Sequence, residues 1–221
     1  MRRISVIGFG KIGQAVAANI LQQDIYVTAI DTNPGWQKLF KSGTYHTNEP
    51  GLNEILTSAY RDNKLVISDD LSMVKDSDAV IIAIPLLVDH EKKIVEGPFL
   101  DMVREMAPFL RNKKIIVIET SVPVGFGRNN VVPAIESMGK MHGNDFLLAH
   151  SPERIKSGTM LEQLLLIPKV IGGISEEATD KALEIYQWFF NRWLLHRVES
   201  IEAAEMVKLA GMIYRDVNIA L

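Results

Sequence analysis

The 221-residue sequence contains no cysteine. Disulfides, thiolate metal ligands and a thiol nucleophile are therefore excluded within this chain. No apolar run approaches the ~20 residues needed to cross a bilayer. The opening MRRISVIGFG lacks an apolar signal-peptide region with a small-residue cleavage site. Neither sign of charge dominates: 24 Lys and Arg against 27 Asp and Glu leave a net charge of −3, which gives no electrostatic reason to expect nucleic acid or an anionic membrane as partner. Histidines are few, and His142, His150 and His196 show no ligand spacing, so no metal site is expected. With 47% hydrophobic and 23% charged residues, the composition suits a globular protein long enough to bury a core. A cytoplasmic protein is the default expectation.

What the sequence does contain is an alternation. Short Val- and Ile-rich runs at 3–8, 25–30, 64–68, 78–84, 114–119, 145–150 and 169–173 read as strands. Their nearly continuous apolar character suits a parallel sheet covered on both faces. Segments of helical period lie between them at 11–22, 51–61, 98–110, 127–138 and 175–190. Strand and helix in turn imply βαβ units, right-handed crossovers and a doubly wound, mostly parallel α/β sheet of the Rossmann type. A last helix opens at Ser200, a capping residue, with Glu202 and Glu205 where a helix start favours negative charge. No Pro closes it before Leu221, and Gly211 and Asn218 lie within the helical pattern rather than ending it. The expectation is a domain over 1–199 and the start of a longer, truncated helix over 200–221.

The first strand runs into Gly8-Phe9-Gly10-Lys11-Ile12-Gly13 and then a helix. Alone, this glycine pattern is weak. In this context Gly8 permits the tight turn, Gly10 lets backbone approach a pyrophosphate, and Gly13 lets helix and strand pack closely, while the helix start offers unpaired N–H groups to the anion. The second strand ends at Asp31, eighteen positions after Gly13. A carboxylate there accepts hydrogen bonds from a ribose diol and repels a 2′-phosphate, and no Arg follows it closely. NAD is favoured over NADP; FAD shares the fingerprint. The competing reading is a structural turn with a solvated Asp at a strand end.

In open α/β sheets ligands sit beyond the carboxyl ends of the strands. Three segments emerge there: Ile84-Pro85-Leu86-Leu87, an apolar wall; Glu119-Thr120-Ser121-Val122-Pro123-Val124-Gly125, which carries two hydroxyls before a Pro-Gly turn; and His150-Ser151-Pro152-Glu153-Arg154-Ile155-Lys156-Ser157-Gly158, which concentrates charge. Thr120 and Ser121 are equally suited to cap a helix, and Glu153 to pair with Arg154 or Lys156.

The order and spacing of VIGFGKIGQAVA, NEPGLNEIL, ETSVPVGFG, SPERIKSG, PKVIGG and AAEMVKLAGMIYRDVNIAL resemble the UDP-glucose/GDP-mannose dehydrogenase family over essentially the whole chain. Within it, SPER…SG and YRDVNIAL look most like the enzymes that oxidise UDP-N-acetylhexosamines. The resemblance implies an N-terminal NAD-binding domain, a central helix that forms a homodimer, and a C-terminal domain that grips the UDP-sugar. It also implies oxidation of the sugar's C6 alcohol to a carboxylate with two NAD+, through a thioester on a cysteine. By match to the family's motifs, Ser121 orients water, Glu153 is the glutamate of the SPE motif, and Lys208 stabilises oxyanionic intermediates. Gly8, Gly10, Lys11, Ile12, Gly13, Asp31, Pro85, Thr120 and Glu153 form the cofactor set.

Several positions depart from that pattern. Met212 stands where an asparagine is usual, Ser157 replaces a second glutamate, and Ile84-Pro85-Leu86-Leu87 loses a cofactor-side hydroxyl. The missing cysteine implies a chain inactive alone. Two other readings stay open: a diverged, non-enzymatic NAD-binding or regulatory protein, and a β-hydroxyacid-type dehydrogenase, against which ETSVPVG and SPER speak. On the last helix Met206, Val207, Ala210, Ile213, Tyr214 and Val217 make an apolar stripe. It fits either a partner surface or packing on the chain's own sheet.

Overall fold

A computed structural model describes residues 1–221. The chain runs β1 (Arg3–Ile7), α1 (Lys11–Leu21), β2 (Tyr26–Ile30), α2 (Gly35–Ser42), α3 (Leu52–Arg61), β3 (Leu65–Ser68) and β4 (Ala79–Ile82). A small hairpin, β5 (Leu87–Val88) and β6 (Ile94–Val95), leads to α4 (Gly97–Met106), β7 (Lys114–Ile118), α5 (Val132–Glu136) and β8 (Phe146–His150). Then come α6 (Met160–Leu166), β9 (Lys169–Gly173), α7 (Glu176–Tyr186), β10 (Leu195–Arg197) and α8 (Ile201–Ala220). Eight strands form one sheet in the order β10-β9-β8-β7-β4-β1-β2-β3.

Both faces of this sheet are covered, as the apolar runs require. Along β7, Ile115 and Val117 join a core with α1, α3 and α7, whereas Ile116 and Ile118 join a second core with α4 and α5. The period-two geometry of a strand sends successive side chains to opposite faces. Six strands, β1 to β4, β7 and β8, are mutually parallel. The chain winds from β1 outward to β3 and then restarts on the other side of β1 with β4. A crevice opens at such a reversal, beyond the carboxyl ends of the strands.

The run at 169–173 corrects the parallel expectation, because β9 pairs antiparallel with β8, with His150 opposite Gly172. Its first residue, Lys169, therefore lies at the carboxyl ends of β7 and β8. Helix ends also differ from the periodic reading. Pro108 converts the close of the 98–110 segment to a 3-10 turn after Met106. Pro133 has no N–H to donate, and the 127–138 segment splits into a π-type turn at 127–131 and the short α5. Helix α7 stops at Tyr186 because Phe189 and Phe190 turn inward to pack on that ring, with centroids 5.0 and 5.7 Å away.

Glycine is mandatory at two points. Gly8 holds φ +92°, and a Cβ built on it would lie 2.8 Å from the Ile84 nitrogen. A Cβ on Gly13 would stand 1.8 Å from the Gly8 carbonyl oxygen, an impossible contact with backbone on both sides. Gly13→Ala should therefore push α1 off β1 and lower stability by about 3 kcal/mol, at the upper end of overpacking costs. Urea unfolding of the variant beside the unaltered chain measures it.

Candidate functional site

The glycine loop is built for an anion. Helix α1 begins after Gly10 with no side-chain cap and no acidic residue in its first turn, leaving its first N–H groups free for a ligand. A Cβ at Gly10 would meet nothing within 4 Å, so the loop is open on that side. Phe9 is anchored beneath, its ring edge-on to Trp36 at 6.0 Å. Asp31 is tied to this loop: its Oδ2 accepts the Phe9 N–H at 2.6 Å and its Oδ1 the Asn33 N–H at 2.8 Å. The acid thus sits at the crest of β1 and β2, in a cavity of about 400 Å³ shared with Gly8, Thr32, Ile84 and Pro85.

A second cleft of about 400 Å³ lies on the other side of the loop. Gly10, Lys11, Ile12, Pro85, Thr120, Ser121, Glu153 and Lys208 all line it. These come from five separate parts of the sequence. Thr120 does not cap a helix; its hydroxyl donates to the Ile84 carbonyl at 2.5 Å and joins the ends of β7 and β4. Ser121 is exposed. Lys208 does not form the surface pair with Glu205 that their spacing suggests: its Nζ donates to the main-chain carbonyl of Glu153. Burial lowers the Lys208 pKa, and Glu153 only partly opposes this.

Glu153 pairs with neither Arg154 nor Lys156. Its Oε1 accepts the N–H groups of Arg154 and Ile155 at 2.7 and 3.1 Å, and its Oε2 accepts Lys169 Nζ at 2.6 Å. Burial alone would raise its pKa, but the Lys169 charge and these hydrogen bonds together hold it low. Lys169 also stands 3.1 Å from Glu119 Oε1, which accepts the Tyr186 hydroxyl at 2.5 Å. Burial raises the pKa of Glu119 despite that ammonium. Beside them His150 is fully buried, with no hydrogen bond from either ring nitrogen. Burial, then the Lys169 charge, pushes its pKa down to about 3.

The sequence reading placed Glu119 and His150 only as the first residues of strand-end segments, without a role, and missed Lys169 and Tyr186. ETSVPVGFG and PKVIGG carry Glu119 and Lys169 but say nothing of their pairing; the available signal was a Lys opening a strand and a His closing one, positions where apolar residues are expected. Glu205 was missed in a different way. It is buried and accepts the N–H groups of Gly125 and Gly127 at 2.5 and 2.9 Å, which fastens α8 to the turn that follows Ser121. Ser200 caps α8 as expected, accepting the Ala203 N–H at 3.2 Å. Of the departing positions, Leu86 lines the cleft, Ser157 is exposed in the loop after Glu153, and Met212 lies one turn beyond Lys208 without lining it. No group of three or more His, Asp or Glu side chains is placed to hold a metal ion, and no helix is long and apolar enough to cross a membrane.

Comparison with known proteins matches this geometry. Residues 2–190 match the NAD binding domain of the UDP-glucose/GDP-mannose dehydrogenase family. The whole chain is 31% identical to UDP-N-acetyl-D-mannosamine dehydrogenase of Methanocaldococcus jannaschii, of which it covers 50%. Among solved structures, UDP-D-ManNAc dehydrogenase of Pyrococcus horikoshii superposes with a TM-score of 0.89 at 29% identity, over 99% of this chain and 51% of that one. NDP-N-acetyl-D-galactosaminuronic acid dehydrogenase of Methanosarcina mazei Go1 gives 0.87 at 26% identity, over 100% of this chain and 48% of that one. The chain belongs to the UDP-glucose/GDP-mannose dehydrogenase family and carries its NAD-binding domain, and NAD is its cofactor. It spans about half the length of the curated relatives it matches. The uncapped α1 start, open Gly10 and loop-bound Asp31 fit that dinucleotide.

Three variants test this wiring. A histidine held at about 3 in the fold and 6.5 when ordinary leaves the unfolded chain binding the extra proton between those values. Its contribution to stability is complete above 6.5 and is lost as pH falls toward 3, with a slope of up to ~1.4 kcal/mol per pH unit. Urea unfolding followed down from pH 6.5 should therefore show a shallower acid decline in His150→Phe than in the unaltered chain. Glu205→Ala, which strands two buried N–H groups, should cost about 2 kcal/mol in the same experiment, and Glu205→Gln less.

Proposed function

We propose that this chain is the cofactor-binding portion of a nucleotide-sugar 6-dehydrogenase, one that acts on a UDP-N-acetylhexosamine. The observation that carries this reading is that Thr120, Ser121, Glu153 and Lys208 converge with the glycine loop on one cleft. The α1 N–H groups hold the diphosphate, and Asp31 accepts hydrogen bonds from the adenosine ribose with the lone pairs left by Phe9 and Asn33. NAD supplies the hydride acceptor. Lys208, half-buried at the cleft wall, places positive charge where the sugar's C6 oxygen becomes an alkoxide and stabilises that charge. The Ser121 hydroxyl orients water, as the family resemblance implies. Glu153, its carboxylate already engaged by Lys169 and two N–H groups, fixes the loop and presents its carbonyl to Lys208.

A thioester needs a thiol, and this chain has none. Oxidation through to the uronate therefore requires residues outside this sequence. Helix α8 supports a homodimer: Met206, Ile213, Tyr214 and Val217 are 48 to 73% exposed along one length of it, and apolar patches of this kind mark partner surfaces.

Titration calorimetry with NADH tests the binding reading. Asp31→Ala should weaken NADH roughly 10- to 100-fold, the worth of a charged hydrogen bond at 1.4 kcal/mol per decade, while Lys208→Ala changes it little. Equal losses would contradict the assigned geometry. Mixed with UDP-N-acetylmannosamine and NAD+, the chain alone should give no steady NADH production. Light scattering should report a dimer that Tyr214→Asp shifts toward monomer.

A further inference from the structure

The reversal of β9 places a buried ammonium where the parallel strands end. Lys169 is the first residue of that strand, its side chain 4% exposed, and two carboxylates from different strand ends meet it: Glu153 at 2.6 Å and Glu119 at 3.1 Å. From Glu119 the chain continues directly into Thr120 and Ser121. From Glu153 the connection runs through its own peptide carbonyl to Lys208 Nζ. The supports of Ser121, Glu153 and Lys208 thus share a single cation. Two aromatic rings, Tyr186 and Phe190, enclose it with centroids 5.8 and 5.7 Å from Nζ.

We propose that Lys169 is a positioning residue: from behind the cleft it holds the Glu153 and Glu119 carboxylates and, through the Glu153 carbonyl, fixes the place and the charge environment of the Lys208 ammonium. This rests on the reading that Lys208 acts in the cleft. The groups facing the cluster are Glu119 just beyond β7, His150 on β8, Glu153 beyond it, Tyr186 on α7 and Lys208 on α8. His150 is held neutral, and the Arg154 guanidinium is turned to the Pro168 carbonyl. Arg154 and Arg215 still add positive charge that lowers the Lys208 pKa, and the cluster itself is two carboxylates against Lys169 and Lys208. With Lys169 in place Lys208 faces a nearly balanced cluster, and its pKa lies below that of an ordinary lysine, burial being the first cause and the Lys169 charge contributing. Without Lys169 the two buried acids have only Lys208 to answer them. Lys208 must then hold its proton more tightly, and the Glu153 loop loses its anchor.

The test follows the Lys208 ammonium by NMR titration of the full chain with isotope-labelled lysine, the signal assigned with Lys208→Arg. In the unaltered chain Lys208 should titrate below the surface lysines. Lys169→Met should raise its pKa by about one unit, tenfold in proton affinity, because it removes a positive charge that lowers the Lys208 value. Lys169→Arg should restore the original value, and Glu119→Gln added to Lys169→Met should bring it back by removing one acid. Should Lys169→Met not fold, Glu119→Gln alone decides, because it must lower the Lys208 value. A Lys208 titration that ignores all of these variants overturns the proposal. NADH binding to the unaltered chain is measured in parallel. Its absence would sink the cofactor reading and leave the Lys208 titration standing, whereas intact binding with an unmoved Lys208 sinks only the role of Lys169.

Discussion

The backbone-to-backbone approach of Gly13 to the Gly8 carbonyl governs the direction in which α1 leaves β1. Because α1 starts flush against the strand, its amino end points across the crest of the sheet at the point where the winding reverses. The free N–H groups then lie between two cavities, one holding Asp31 and the other Ser121, Glu153 and Lys208. The Phe9 N–H, donated to Asp31, locks the loop to the neighbouring strand. A dinucleotide laid over this loop has its two halves directed into different chemical surroundings by the geometry of a single turn.

The polar interior behind that turn has a different logic from the cores on either side. Replacing buried ion pairs with packed apolar residues is often neutral or stabilising, since desolvation offsets much of the attraction. The Glu119, Glu153, Lys169 and Tyr186 cluster is accordingly a poor source of stability. Its worth lies in geometry, since charged groups with few alternative partners fix the ends of three strands relative to one another.

The layout of the parallel sheet was legible because its strands are continuous apolar runs, and the phosphate loop because glycine spacing there answers a steric demand that leaves a trace in sequence. The members of the cleft were legible through motif order, which brought Thr120, Ser121, Glu153 and Lys208 forward together. What could not be read was direction and partnership. KVIGG runs equally well either way in a sheet, so nothing in it announced that β9 is antiparallel and delivers Lys169 to the site. Glu205 looked like a surface neighbour of Lys208 because helical spacing says nothing of which face the turn at Gly125–Gly127 occupies. Helices α2 and α6, of eight and seven residues, are too short for periodicity to separate from loops.

Helix α8 is fastened near its start, by Ile201, Ala204 and the Glu205 carboxylate, with the Lys208 ammonium as the last tether. The twelve helical residues beyond it extend a rigid rod about 18 Å at 1.5 Å per residue. Such a rod is a lever whose short arm grips the turn after Ser121 and whose long arm stands clear of the domain. A tilt imposed on the outer turns is delivered to the cleft wall with little loss, so whatever settles against that rod gains mechanical leverage over the spacing between Ser121 and Lys208.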